Sequence, residues 1–307
     1  MTIATVPAAT FAQGIRMRLR RLRADEILLI VEGSSDKSAL MRWLSSSVHV
    51  LPAAGKEQVV LSRDHLTPDE RLRCTMIVDC DGRVEPAWLG DDDLIISEMR
   101  DLEADLIHHF AVVESLVFEH AWQLGSSKSE LTHLAEQLQE FAVNLATVFG
   151  IVTDTAALVG VPTRVVDPHS GERRRLRLTD LSPAHLMGAW PEAPSLEKLT
   201  GLLGIKLTWT EAQPSAILAL EARQRLKLCR AHTAPACIPC TARRFANGHD
   251  IIDALWLGFQ ALGVADLESD ALAREVRLAA TGGTDMWAVL RRLKARGSAT
   301  GYSVLAQ

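Results

Sequence analysis

The sequence predicts an α/β protein in which a parallel sheet flanked by helices is followed by a mostly α-helical region with an inserted β-hairpin. Two short segments, Glu26–Val31 and Cys74–Val78, are almost continuously apolar, which indicates strands buried on both faces. Helical signals stand between the strand signals, and this alternation is typical of a parallel sheet. Beyond residue 126, apolar residues recur mainly at helical spacing.

The predicted sheet occupies residues 25–125. Gly33 and the serines after it predict a turn, with Ser34 or Ser35 capping the next helix. The run Asp91–Asp93, three acids before the last strand, predicts a solvated loop. The other predicted elements of this region are strands at Val48–Leu51 and Leu94–Ile96 and helices from Gly55 to about His65 and over Asp101–Phe110.

Residues 126–307 form the predicted helical domain, after a boundary near Gly125–Ser127. An amphipathic helix is expected over 127–150, and alternating residues around a Pro-His-Ser-Gly turn predict a β-hairpin at about 163–178. Residues 1–24 contain no acid and form a basic N-terminal leader that becomes a short helix. Further helices are predicted over 195–204, 212–230, 248–262, 268–279 and 284–296.

The composition is that of a folded protein, with 48% apolar and 23% charged residues. The net charge of -5 argues against a broad, non-specific nucleic-acid binder, which is usually basic. It does not exclude a nuclease, because a carboxylate metal site is itself negative. The five cysteines follow no secretory signal, and no apolar run approaches the roughly 18 residues of a membrane span. We therefore expect a cytoplasmic protein with reduced thiols and no membrane contact.

Acidic residues follow three of the predicted strands. Glu32 follows the first strand, Asp79 and Asp81 follow the third, and Asp101 and Glu103 come after the fourth. The carboxyl ends of parallel strands meet at one edge of a sheet, where ligands bind, so these side chains should share one rim. Residues two apart at a strand end point to the same side, which lets Asp79 and Asp81 reach one ion.

Carboxylates at one rim point to a divalent metal. They repel one another unless a cation neutralises them, and oxygen ligands select Mg²⁺ or Mn²⁺. Such an ion lowers the pKa of bound water and orients a phosphate. Lys56, at the end of the second strand, is a candidate to neutralise a phosphate at the same rim, and an ordinary surface lysine is an equal alternative.

The ordered set of motifs resembles a known family. The Glu-Gly turn after strand one and the Asp-x-Asp after strand three look like the TOPRIM domain, the metal-binding domain of topoisomerases, primases and overcoming-lysogenization-defect (OLD) nucleases. The resemblance is closer to OLD-like TOPRIM proteins of bacterial antiphage defence, which include the TOPRIM effector of the PARIS system. Asp101–Glu103 is similar to their Asp-Leu-Glu motif, and Asn247–Asp250 to their Gly-His/Lys-Asp motif. The resemblance covers about 25–110 and 243–262.

The resemblance implies a Mg²⁺-dependent nuclease that cleaves RNA or DNA, acts as the toxic effector of a defence system and is held in check by a separately encoded ATPase. It implies that Glu32, Asp79 and Asp81 hold metal or act as the general base, with Asp101 and Glu103 close to them. A homodimer with contacts from the helical domain is expected.

Two positions need separate comment: Cys80, which departs from the family pattern, and His249, which the resemblance adds to the candidate site. Cys80 stands where the family often has a charged residue, so the ion pair of that residue is missing here. The resemblance makes His249 a candidate for phosphate contact or for docking its helix onto the first domain. From the residues alone, Asn247 or Asp250 is a helix cap.

A cysteine and histidine cluster predicts a second kind of metal site. Cys229, His232, Cys237 and Cys240 follow the spacing C-x₂-H-x₄-C-x₂-C. Soft ligands in pairs two residues apart suit tetrahedral Zn²⁺, so a zinc knuckle over 229–240 is one interpretation. The other interpretation is reduced free thiols, the ordinary state in a cytosol.

The basic strand of the hairpin is the best candidate for gripping a nucleic-acid backbone. Its residues Arg173, Arg174 and Arg175 belong to a run in which alternation puts several arginines on one side. The alternative, for this run and for Arg16–Arg23 and Arg291–Arg296, is a solvated face.

Two other functions fit the same residues. Asp79 and Asp81 match the first motif of haloacid-dehalogenase-type phosphatases, in which the first Asp is the nucleophile and the second the acid/base. That family opens its first strand with this motif, whereas here a strand followed by Glu32 comes first. The other alternative is a catalytically silent TOPRIM module that binds an ATPase or nucleic acid. Lys56 lacks the upstream glycine and the following Ser/Thr of a Walker A motif, so ATP hydrolysis would belong to a partner.

Overall fold

A computed structural model describes the protein over residues 6–80, 92–109, 111–124, 127–167, 170–181, 183–187, 190–219, 245–264, 266–280 and 287–306. The chain folds into two units. One unit comprises Met1–Phe110 and Thr281–Gln307, and the other comprises Ala111–Ala280. The carboxyl-terminal residues thus belong to the first unit. The sequence predicts that they belong to the helical domain, because helical spacing identifies a helix but not the element against which it packs.

Four parallel strands form the sheet of the first unit. They are β1 (Ile27–Val31), β2 (Val48–Pro52), β3 (Cys74–Val78) and β4 (Leu94–Ile96), in the order β2-β1-β3-β4. Each neighbouring pair is parallel, which confirms the predicted α/β class with a parallel sheet. Every residue of β1 and β3 is buried, as their apolar sequences predict.

Helices cover this sheet. The helices of the first unit before residue 110 are α1 (Ala8–Leu19), α2 (Ser34–Leu40), α3 (Lys56–Arg63), α4 (Pro68–Leu72) and α5 (Leu102–His109). Helix α2 begins after Gly33, whose amide donates to Asp36 Oδ2 at 2.7 Å, so Asp36 rather than Ser34 or Ser35 satisfies the helix start.

The basic segment near the amino terminus is part of the folded unit. Ala12 and Ile15 of α1 are fully buried, and they share one core cluster with Leu28 and Ile30 of β1. The sequence predicts a leader here because arginines dominate it, yet the apolar residues of α1 recur at helical spacing and face the sheet. The basic helix itself agrees with the prediction.

The predicted solvated loop at Asp91–Asp93 is wrong for its last residue. Asp93 is 7% exposed. Its carboxylate accepts two hydrogen bonds from Arg63, at 2.7 Å from Nη2 and 3.0 Å from Nε. This paired geometry ties α3 to the start of β4, a long-range contact that a local reading of three acids does not reveal.

The second unit is mostly helical. Its elements are α6 (Val112–Glu119), α7 (Ala121–Leu124), α8 (Lys128–Leu158), the antiparallel strands β5 (Arg164–Val166) and β6 (Arg173–Arg175), α9 (Pro183–Met187), α10 (Leu196–Leu207), α11 (212–219), α12 (Gly248–Ala261) and α13 (Ser269–Ala279). The helical region with its hairpin is therefore as predicted. The last helix, α14 (Ala288–Thr300), belongs to the first unit, where it contacts β4.

Helix α8 is the core helix of the second unit. It has 31 residues and extends beyond the predicted 127–150. It is long and apolar enough to cross a membrane by length and composition, but 61% of its most apolar window is buried inside the protein. Its closest helical partner is α12, and Gly150 lies where the backbone before α12 approaches it.

We predict that Gly150→Ala lowers the free energy of unfolding. A Cβ atom at Gly150 would lie 2.1 Å from the carbonyl oxygen of Phe245, a backbone atom that no rotamer change can move. The expected loss is about 1–3 kcal/mol. Gly201→Ala in α10 is the matched control, because its Cβ meets nothing within 4 Å and Ala favours a helix by about 1 kcal/mol. Urea unfolding measures both, and equal stability of Gly150→Ala and wild type would contradict the packing.

Candidate functional site

The crevice between β1 and β3 is the topological switch point of the sheet. β2 pairs with one edge of β1, and β3 then pairs with the other edge. The connections that follow two such strands diverge, which leaves a crevice at their carboxyl ends, and ligands bind there in open parallel sheets. Glu32 follows β1 and Asp79 follows β3, so both predicted acids stand at this switch point.

Glu32 joins the ends of three strands. Its Oε1 atom accepts a hydrogen bond from the backbone amide of Asp79 at 2.6 Å, across the crevice. Its carbonyl oxygen accepts from the amide of Gly55 at 3.0 Å, beyond the end of β2. The side chain is therefore held at the rim, and one carboxylate oxygen already has a short, charge-assisted partner.

Lys56 reaches the same rim from the first turn of α3. Gly55 precedes it with φ of 105°, a left-handed conformation that turns the chain from β2 into the helix. The Nζ atom donates to the carbonyl oxygens of Asp79 at 2.5 Å and Cys80 at 3.3 Å. The ammonium group thus fixes the backbone that follows β3.

The amino terminus of α5 approaches Asp79 from the other side. Asp79 Oδ1 accepts from the amide of Leu102 at 3.3 Å. The positive end of a helix dipole favours a carboxylate in this position. Asp101 Oδ1 accepts from the amide of Ala104 at 2.8 Å, as a helix-capping side chain does. Asp101 and Glu103 are 5% and 2% exposed, so the structure buries both beside the rim.

Sequence reasoning missed Ser97, the residue that follows β4. Its hydroxyl accepts from the amide of Cys80 at 2.8 Å and donates to the carbonyl oxygen of Met99 at 2.9 Å. Cys80 itself is buried. The hydroxyl therefore connects the segment after β3 to the segment after β4. A serine at a strand end is too common a signal to single out from sequence.

A buried carboxylate, Asp105, was also missed. It is fully buried on α5 and accepts from the amides of Glu98 at 3.1 Å and Met99, and from Trp287 Nε1 at 2.8 Å. Trp287 packs edge-on against Trp43, with ring centroids 5.5 Å apart. Asp105 thus fixes the turn that leads into Asp101. The sequence signal that could have identified Asp105 is its position four residues after Asp101, on the same face of the predicted helix Asp101–Phe110.

The structure describes only some of the residues on which the metal prediction rests. Within them, no group of three or more His, Cys, Asp or Glu side chains has the arrangement of a metal site. Asp81 lies outside the described residues, so its pairing with Asp79 stays a prediction. Glu32 and Asp79 alone fit Mg²⁺ in one respect, because this ion is commonly held by one or two carboxylates together with water and substrate phosphates.

The zinc prediction also falls outside the part of the chain that the structure describes. Cys229, His232, Cys237 and Cys240 all lie within the gap between residues 219 and 245. The knuckle over 229–240 and its alternative of free thiols both stay predictions.

The arginines of the hairpin are engaged within the second unit. Arg174 Nη2 lies 2.6 Å from Asp180 Oδ1, and Arg175 Nη2 lies 2.6 Å from Asp250 Oδ2. Asp250 is 3% exposed, so its helix buries a carboxylate that the hairpin neutralises. Arg173 is exposed. The structure therefore gives two of the three predicted substrate-binding arginines an intramolecular partner.

His249 occupies an exposed position in the first turn of α12. Its amide donates to Asn247 Oδ1 at 2.9 Å, so Asn247 is the N-cap of this helix, as the residues alone predict. The His249 ring lies in the second unit, whereas Glu32 and Asp79 lie in the first.

Comparison with protein-family models finds no match to this chain, and a search of curated proteins finds no related sequence.

We predict that Asp105→Asn flattens the pH dependence of stability in weakly acidic solution. Burial raises the pKa of Asp105 from 3.8 to about 6, against the opposing effect of its N–H donors. Because the folded pKa lies above the unfolded value, this group's stabilising contribution is complete below about pH 4 and is lost as pH rises through about 6. Wild type should lose up to about 3 kcal/mol through this group.

Urea unfolding at pH 4.5 and pH 6.5 measures this difference. The exposed Asp64→Asn should follow wild type, whereas Asp105→Asn should change less between the two pH values. Parallel profiles for wild type and Asp105→Asn would show that the buried carboxylate does not titrate in this range.

We predict that Arg177→Met destabilises the second unit. Arg177 Nη2 lies 2.6 Å from Asp253 Oδ1, and the Asp253 side chain is 1% exposed, so its loss leaves a buried charge. Because Arg177 itself is 42% exposed, we expect a loss of about 1–3 kcal/mol rather than more. The exposed Arg173→Met is the control and should stay within about 0.5 kcal/mol. Asp253→Leu added to Arg177→Met should restore stability, and a further loss would contradict the pairing.

Proposed function

We propose that the chain is a TOPRIM-type, Mg²⁺-dependent nuclease that cleaves phosphodiester bonds of RNA or DNA. The observation that carries the proposal is the meeting of Glu32 and Asp79 at the switch point of a parallel sheet, joined by a hydrogen bond of 2.6 Å. Two acids that are 47 residues apart in sequence (32 and 79) thus follow neighbouring strands beside one crevice.

The order of the motifs supports the same proposal. Glu32 directly follows one parallel strand and Asp79 directly follows its neighbour, while Asp101 precedes the helix after the fourth strand and Glu103 lies in its first turn. The resemblance to OLD-like TOPRIM proteins rests on these residues. In a haloacid-dehalogenase-type phosphatase, Glu32 would have no assigned part, whereas here it is bonded to both neighbouring strand ends.

Mg²⁺ or Mn²⁺ would be held by Glu32 and Asp79, with Asp81, Asp101 and Glu103 as further proposed ligands. When bound, such an ion supplies a water of lowered pKa and neutralises charge on the phosphate. The two placed carboxylates suit an ion that completes its coordination with water and with the substrate itself.

The chain's own groups would divide the remaining work. Glu32 is the proposed general base, since it is the carboxylate that follows β1 at the crevice and a carboxylate can accept a proton from the attacking group. Lys56 would hold a phosphate oxygen at the rim while keeping the backbone of Asp79 in place. The amino terminus of α5 would hold Asp79 oriented through the amide of Leu102.

The biological setting follows from the resemblance and is proposed with it. The chain would be the toxic effector of an antiphage defence system, would act in the cytoplasm, would form a homodimer and would be restrained by a separately encoded ATPase. Substrate contacts from Arg173 and His249 are part of the proposal. Arg174 and Arg175 are weaker candidates, because binding a phosphate would require them to leave Asp180 and Asp250.

We predict that Glu32→Gln abolishes metal-dependent cleavage. The amide keeps an oxygen for the Asp79 amide but loses the charge and basicity, so the rate should fall about 100-fold or more. Asp79→Asn should behave in the same way. Cleavage of tRNA and plasmid DNA with Mg²⁺, Mn²⁺ or EDTA measures this, with and without any neighbouring ATPase co-expressed. The exposed Glu140→Gln is the matched control and should cleave as wild type does.

Two results would refute the proposal. Equal metal-dependent cleavage by Glu32→Gln and wild type, with both proteins folded, would remove Glu32 from the reaction. Turnover of p-nitrophenyl phosphate that is lost in Asp79→Asn and kept in Glu32→Gln would establish the phosphatase alternative.

A further inference from the structure

A second candidate site lies in the first unit at the opposite end of β1 from Glu32. It is a cavity of about 460 Å³ beside the last turns of α1, and the residues that line it include Gly14, Met17, Arg18, Arg21, Glu26 and His49. A cavity of this size is within the range of small-molecule sites. Glu26 and Glu32 are six residues apart along an extended strand, which is about 20 Å. The two sites are therefore separate.

The walls of the cavity are fixed by contacts that do not use its lining arginines. Arg73 donates to the carbonyl oxygens of Leu19 at 3.2 Å and Arg23 at 2.8 Å, so its guanidinium caps the carboxyl end of α1. The amide of Arg23 donates to Glu26 Oε2 at 2.8 Å and closes the turn into β1. The site is thus formed before any ligand binds.

Four arginines at the end of α1 and in the segment after it, Arg16, Arg18, Arg21 and Arg23, fall into two groups. Arg16 pairs with Glu70 at 3.0 Å, and Arg23 pairs with Glu26 at 3.1 Å. Arg18 and Arg21, in contrast, have no ion-pair partner among the residues that the structure describes. Arg18 lies in the last turn of α1 and Arg21 in the turn that follows the helix, and both line the cavity. Two unpaired guanidiniums at one concave surface are suited to a phosphate group.

The lining also contains a hydrogen-bond acceptor, the carboxylate of Glu26. Glu26 Oε1 lies 3.4 Å from His49 Nε2, on the neighbouring edge strand β2. A hydrogen bond from the amide of Arg23 lowers the pKa of Glu26, so the carboxylate is ionised at neutral pH. It can accept hydrogen bonds from hydroxyl or amino groups. Met17, which is 50% exposed, adds an apolar surface to the lining.

We propose that this cavity binds a small phosphomonoester of nucleotide size, with its phosphate on Arg18 and Arg21 and its hydroxyl or amino groups directed toward Glu26. A mononucleotide combines a phosphate group, hydroxyl groups and, on most bases, an amino group in one molecule. A nucleic-acid strand fits less well, because the Glu26 carboxylate would repel the next phosphate of a polyanion. The inference does not depend on the proposed nuclease activity, and it gives the protein a second ligand apart from the substrate.

Calorimetric titration of the full chain tests the proposal. The Glu32→Gln chain is used so that no nuclease activity consumes a ligand. The probes are 5′-nucleoside monophosphates, inorganic phosphate and a single-stranded oligonucleotide without a terminal phosphate. We expect at least one nucleoside monophosphate to bind more tightly than inorganic phosphate, and the oligonucleotide to compete poorly for the site.

Variants locate the binding. Arg18→Gln with Arg21→Gln should weaken nucleotide binding by about 10- to 100-fold, the equivalent of one or two charge-assisted hydrogen bonds. Arg20→Gln is the matched control, because Arg20 is exposed on the same turn and does not line the cavity. Gly14→Phe should block binding by filling the cavity, and Gly14→Ala should not, since a Cβ there meets nothing within 4 Å. Unfolding midpoints show that each variant is folded.

Three results would overturn the proposal. They are the absence of nucleotide binding to the folded chain, inorganic phosphate binding as tightly as every nucleotide, and nucleotide binding that is unchanged in both Arg18→Gln/Arg21→Gln and Gly14→Phe. Because binding rather than cleavage is measured, failure here would leave the proposed nuclease function untouched.

Discussion

Strand β1 pairs in parallel with β2 on one edge and with β3 on the other, and the arrangement of the first unit depends on this pairing. Because both edges and both faces of β1 are covered, its five residues are all buried and must be apolar. The same topology sends the chain away in two directions after β1 and β3 and leaves a crevice between them. The Glu32 side chain crosses that crevice to the amide of Asp79, and Lys56 binds the backbone that follows. The candidate site is therefore a consequence of strand order before it is a consequence of any particular side chain.

Charged residues of this protein do different work in different places, although they look alike in sequence. The arginines of the hairpin region neutralise buried or half-buried aspartates, so most of that basic run stabilises the second unit. An unpaired carboxylate would be costly to bury, which explains why Asp253 and Asp250 each have a guanidinium within 2.6 Å. The run Arg16–Arg23 presents the opposite case, since Arg18 and Arg21 line a cavity while Arg16 and Arg23 are paired.

The two proposed sites lie at opposite ends of one buried strand. The carboxyl end of β1 carries Glu32 among other acids, whereas the amino end lies beside the basic helix. Ligands of the same chemical kind, phosphate esters, are expected at both ends, but the local charge selects them differently. A metal ion would mediate binding at the acidic rim, and guanidiniums would bind directly at the basic cavity. The rigid strand between them is a fixed spacer of about 20 Å.

The parallel α/β class, the four strands β1 to β4, the hairpin and the strand-end positions of Glu32 and Asp79 could all be predicted from the sequence. These features follow from local patterns, since burial on both faces requires continuous apolar runs and helices require their own period. Four features became visible only in the folded protein: α1 belongs to the core, Asp93 pairs with Arg63, Asp105 accepts a hydrogen bond from Trp287, and Arg174, Arg175 and Arg177 pair with aspartates. Each of these depends on contacts between residues that are distant in sequence, or on which face a charged side chain presents. A local pattern shows that a residue is charged or apolar, and the packing of the whole unit decides which partner it meets.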